Sequence, residues 1–88
     1  MLKLEVRTYD VWHNEDSWFV NDSWTVGTIE VLDDKAETIL QALIEGKYLI
    51  ETCTLEDVAI KWWDEGFCEV EQTEDGYPLY GLKVVQED

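Results

Sequence analysis

Two glycines constrain this chain more than any other feature. Asp64-Glu65-Gly66 and Glu74-Asp75-Gly76 each suit a type I turn followed by a left-handed glycine, the geometry of a three-residue β-hairpin loop. Taken literally, the first turn pairs Trp62 with Cys68, Lys61 with Glu69 and Ile60 with Val70. The second pairs Cys68 with Leu82, Val70 with Tyr80 and Gln72 with Pro78. In that register Val58, Ile60, Trp62, Cys68, Val70, Tyr80, Leu82 and Val84 share one face, while Lys61, Glu69, Glu71 and Lys83 share the other. A slip of one residue would exchange the faces, so turns chosen only by their glycines give one apolar side and one charged side. Residues 54–63, TLEDVAIKWW, also satisfy helical spacing through Leu55, Val58, Ala59, Trp62 and Trp63. The turns decide for strand, and the expectation is a meander over 58–63, 67–72 and 77–85. Pro78 has no N–H to donate, so its strand should be an edge or begin late.

The first half carries two further strands and a helix. In LKLEVRTYDVW, Leu2, Leu4 and Val6 alternate with Lys3, Glu5 and Arg7, the pattern of a half-buried strand. Pairing should break down near His13 and Asn14. A second strand is expected at 24–32, WTVGTIEVL, where Gly27 marks a bulge or a close backbone approach. Ala36, Ile39, Leu40, Leu43 and Ile44 then follow helical spacing. Asp34 stands three residues before Glu37 as a capping box, and Gly46 is placed for a left-handed C-terminal cap. The predicted fold class is α+β: a single domain over 1–88, with a β-hairpin, a helix and a three-stranded meander forming one sheet, or a small half-barrel, packed on the helix. The acidic end, Gln86 to Asp88, should fray.

Charge narrows the partners. Twenty-one Asp and Glu face six Lys and Arg, for a net charge of −15. Phosphate contacts need cations, so direct binding to nucleic acid or anionic lipid is not expected. A basic protein surface would be attracted, and solubility is the competing use of the same charge. No basic leader with an apolar run and no stretch long enough to span a bilayer is visible, so the cytoplasm is the expected location. Cys53 and Cys68 match neither a CxxC nor a zinc spacing and read as two reduced thiols.

Chemistry-bearing patterns are few. His13 is the single histidine, and general acid–base work would need a partner fixed beside it. Counting an EF-hand from Asp10 puts Trp12 at position 3, Glu15 at 6 and Asn21 at 12, which fails the ligand pattern. Nucleophile elbows and phosphate-cradling glycine loops are missing. No catalytic residue, cofactor or metal ligand is expected, and the protein is read as a non-enzyme.

The run DVWHNEDSWFVNDSW at 10–24 holds what remains. Trp12, Trp18 and Trp24 lie six residues apart among acids and amides. One reading folds them back to cover the open end of the sheet, leaving one indole facing out. The other makes Trp12, Trp18, Trp24 and Trp63, with Asp16 and Asp22, a partner-binding set, because indoles dominate interface energetics and pair with cations. Trp63 is expected opposite Phe67 on the outer face, with Trp62 in the core. WFVND at 18–22, followed by Val26-Gly27, and GYPLYGLKVV at 76–85 resemble a group of small uncharacterised proteins from bacteriophages and their bacterial hosts. The resemblance implies a phage or mobile-element origin and brings no site residue with it. The expected function is a small acidic binder of a basic protein surface, in its strongest form a nucleic-acid mimic. The alternative is an assembly protein that forms a homodimer.

Overall fold

The computed structural model describes residues 1–87. Five strands and one helix follow the order β1 (Leu2–His13), β2 (Trp18–Val31), α1 (Ala36–Glu45), β3 (Val58–Asp64), β4 (Phe67–Gln72) and β5 (Pro78–Glu87). All strands lie in one antiparallel sheet ordered β2-β1-β5-β4-β3. The α+β expectation is therefore overturned: the domain is mostly sheet, and its single helix is ten residues long. The difference lies in how much of the chain is strand. Pairing of β1 with β5 joins the hairpin and the meander into one five-stranded unit. The polar-looking stretch Trp18–Ser23, expected to be a connection, is strand as well, because Trp18, Phe19 and Val20 are strong β formers.

The register read from the glycine turns is that of the sheet at its centre. Lys61 faces Glu69, Trp62 faces Cys68, and Ile60 faces Val70; Cys68 faces Leu82, and Val70 faces Tyr80. Past Val70 a bulge moves the pairing by one, so Pro78 faces Glu71 rather than Gln72. Gln72 instead takes a backbone hydrogen bond to the Tyr77 carbonyl. Pro78 opens β5, which is an interior strand and not an edge. Its missing donor is harmless because β1 pairs with β5 only as far as Thr8 opposite Tyr80. Gly76 has the left-handed conformation, with φ 77°. Gly66 does not, and its N–H is held at 2.7 Å by the Asp64 carboxylate.

The core comprises Leu4, Val6, Ile29, Val31, Ile39, Leu43, Val58, Cys68, Val70 and Leu82. Helix α1 touches strands at both edges, β2 and β3, so it bridges the sheet from rim to rim. Trp62 reinforces the bridge: its indole N–H donates to the Asp34 carbonyl at 2.9 Å. At the helix start the expected Asp34 capping box is not formed. Lys35 is the N-cap without a side-chain bond, and Asp33 accepts the Lys35 N–H at 3.0 Å instead. That backbone donor, then the Thr38 hydroxyl, holds the Asp33 carboxyl below its ordinary range.

At the helix end the left-handed residue is Lys47 (φ 65°) and not Gly46. The N–H of Tyr48 reaches the Leu43 carbonyl and that of Lys47 the Ile44 carbonyl, which is a Schellman closure. Glycine is required at 46 for space: a Cβ there would lie 2.9 Å from the Tyr48 ring. The C-terminal segment does not fray as expected, since β5 extends through Glu87; Asp88 lies outside the described residues.

Candidate interaction surface

β5 stops short of the end of β1. Beyond Thr8, β1 is paired only with β2, so residues 9–13 and 18–23 form a two-stranded arm whose base is the Thr8–Trp24 pair. The molecule is correspondingly long, 42 × 26 × 22 Å. An isolated two-stranded ribbon is marginal in water, and this arm has braces. Asn14 closes the tip by accepting the N–H groups of Asp16 and Ser17, each at 2.9 Å. His13 stacks on Tyr77 from the opposite hairpin, with centroids 5.1 Å apart. On the outer face the Arg7 guanidinium donates to Thr25 and Ser23 across the strand pair.

Strand alternation sorts the arm's side chains. Leu4 and Val6 point into the core, and Thr8, Asp10 and Trp12 continue the same inner face. Across from them stand Trp24 opposite Thr8, Asp22 opposite Asp10, and Phe19 opposite Trp12. Trp12 and Phe19 stack at 5.2 Å. The inner face of the arm is thus a ladder whose middle rung is two carboxylates with an indole on either side. Bulges at Val26 and Asn21 set this spacing, and Asn21 donates to Asp10 at 3.1 Å.

None of the three arm tryptophans folds back as a peg. Trp12 is 50% exposed, Trp18 43% and Trp24 48%, against 62% for Trp63. The expectation that most of them cover the sheet's open end is corrected: each stays about half-exposed on the strand that carries it.

Of the six residues proposed from sequence, the structure gathers Trp12, Trp24 and Asp22 on one face and adds Asp10. Trp18 leaves from the opposite face. Asp16 sits in the tip turn. Trp63 lies on β3, at the far edge of the sheet, where a bulge pairs Phe67 with Asp64 in place of Trp63. Burial, and then repulsion from Glu71, raise the Glu69 carboxyl above its ordinary range, against a smaller opposing influence of the Trp63 indole. Phe19 and Asp10 were missed. The signal for both was strand parity, visible only once Trp18–Ser23 is known to be strand.

Charge is unevenly spread. From Thr8 to Asp34 the chain contains no Lys or Arg. Lys3, Arg7, Lys61 and Lys83 all fall on the outer sheet face, where Arg7 meets Glu5 and Lys61 meets Glu71 at 3.0 Å. Among the described residues no ion pair involves Asp10, Asp16 or Asp22.

Beside the arm, a groove of about 440 Å³ runs between β1 and the start of β5, lined by Asp10, His13, Tyr48, Tyr77 and Tyr80 among others. Tyr80 donates to the Tyr48 carbonyl at 2.7 Å and so fixes its floor. Among the described residues no three His, Cys, Asp or Glu side chains come together as a metal set. The two cysteines are free, and burial pushes the Cys68 thiol up to about 12, which keeps it protonated and unreactive at neutral pH. No helix among the described residues is long and apolar enough to cross a membrane. No protein-family model, curated protein or solved structure matches the chain.

Proposed function

We propose that the protein is a small, non-enzymatic binder that occupies a basic surface on another protein. The observation that carries this reading is the arm: three half-exposed tryptophans on a segment without a single Lys or Arg, mounted on a body of net charge −15. Indoles supply contact area at low entropic cost, and the acidic field speeds the encounter and selects a cationic partner. In its strongest form the surface carboxylates copy a phosphate array and block a nucleic-acid-binding protein. The WFVND and Val26-Gly27 motif supports placing it among phage or mobile-element proteins that act in a host cytoplasm. Salt tests the reading. Binding to a host nucleic-acid-binding protein should weaken steeply between low and high ionic strength. Capture that ignores salt would contradict it.

Assembly through β2 is the second reading, favoured by one observation: β2 is a fourteen-residue strand on an open edge. Its two bulges and the net charge act against edge-to-edge pairing. Sedimentation velocity separates the two, a concentration-independent monomer supporting the binder and a stable dimer the assembly role.

A further inference from the structure

We infer that the inner face of the arm is a docking strip for an arginine-bearing extended segment of a partner protein, an inference that rests on the binding function proposed above and gives it an address. The strip consists of the three successive rungs Thr8–Trp24, Asp10–Asp22 and Trp12–Phe19. Like charges set directly opposite each other across a strand pair are destabilising. Here the middle rung is such a pair, carries no counter-ion among the described residues, and is flanked by exposed indoles. A cation placed over it removes the repulsion and gains two ring faces.

The chemistry selects arginine. A guanidinium stacks flat on an indole while its N–H groups take a carboxylate two at a time; an ammonium does neither in one geometry. Alternate residues along a strand repeat every ~6.6 Å. An extended segment with arginine at every second position repeats at that same interval and so stays in step with the rungs. A second copy of this chain does not fit the description. Its single arginine, Arg7, is already committed to Glu5, Ser23 and Thr25, and two bodies of −15 repel.

The test uses the whole protein, a capped Arg-Thr-Arg-Thr-Arg peptide and its lysine counterpart, followed by the five indole N–H signals in NMR. The arginine peptide should move the signals of Trp12 and Trp24 first and leave Trp18, Trp62 and Trp63 in place. At fixed salt, D10N/D22N should weaken the arginine peptide about tenfold, and E65Q/E74Q, the same charge change at exposed sites elsewhere, less than about twofold. The first pair relieves a like-charge rung, so loss of folding does not confound it. Shifts spread over all five indoles, equal losses in the two double variants, or equal binding of the lysine peptide would overturn the strip and leave the basic-partner function standing. Absence of binding by either peptide at low salt would remove both. Self-association that moves Trp12 and Trp24 would overturn the strip in favour of a second copy.

Discussion

Gly27 shows how one residue can be fixed twice over. It completes the bulge that lets β2 pass Val6 and Arg7, and a Cβ there would run into the Tyr48 hydroxyl. Gly27→Ala should therefore destabilise by about 1–3 kcal/mol in chemical denaturation, with part of the loss recovered in G27A/Y48F. Lys47 is the opposite case, a side chain held at φ 65°. Lys47→Gly removes that strain and should stabilise by about 0.5–1 kcal/mol. Glu69 sets a pH dependence. Its carboxyl is raised in the folded state, chiefly by burial, so the folded form binds its proton more tightly than the unfolded chain. The stability this gives is fully present below the ordinary glutamate range and is lost as pH rises through the raised value. Glu69→Gln should thus be neutral in acid and mildly stabilising at pH 7, compared by thermal melts at both.

At the scale of elements, the meander and the helix were legible and the arm was not. The meander could be read because alternation and two turn glycines agree on a register. The helix stripe of Ile39, Leu40 and Leu43 could be read because its spacing leaves no other period. Its caps were misplaced by one residue each, since Asp33 and Asp34 are interchangeable on paper and the space demanded at Gly46 belongs to Tyr48. The slip at Glu71–Pro78 was hidden because a bulge leaves no mark in composition. The arm was hidden for a deeper reason. Whether an indole in the run 10–24 is buried depends on what packs over the face it points from, and no residue in that run encodes it. Its independence from the core can be measured. Leu82 is fully buried, and Leu82→Ala should cost about 2–5 kcal/mol. Trp12 is half-exposed, and Trp12→Ala should cost less than Leu82→Ala: the stack with Phe19, about 0.5–1.5 kcal/mol, and the half of its surface that is covered. In hydrogen exchange the arm amides should open well before those of β4 and β5.

At the scale of the molecule, the helix bridges both rims of the sheet, four of the six cations lie on the outer face, and the arm carries acids and indoles on its inner face. On the proposed function, stability and association fall to different parts of one small body. Net charge was legible from composition; its segregation was not, because it follows from strand parity across five strands. A double variant, W12A/W24A, tests that division most directly, with the thermal melt and the binding of the Arg-Thr-Arg-Thr-Arg peptide at low salt read on the same sample. The expected result is a melting temperature within a few degrees of the parent and at least a tenfold loss of peptide affinity. Collapse of the melting temperature, or undiminished binding by a folded variant, would contradict it.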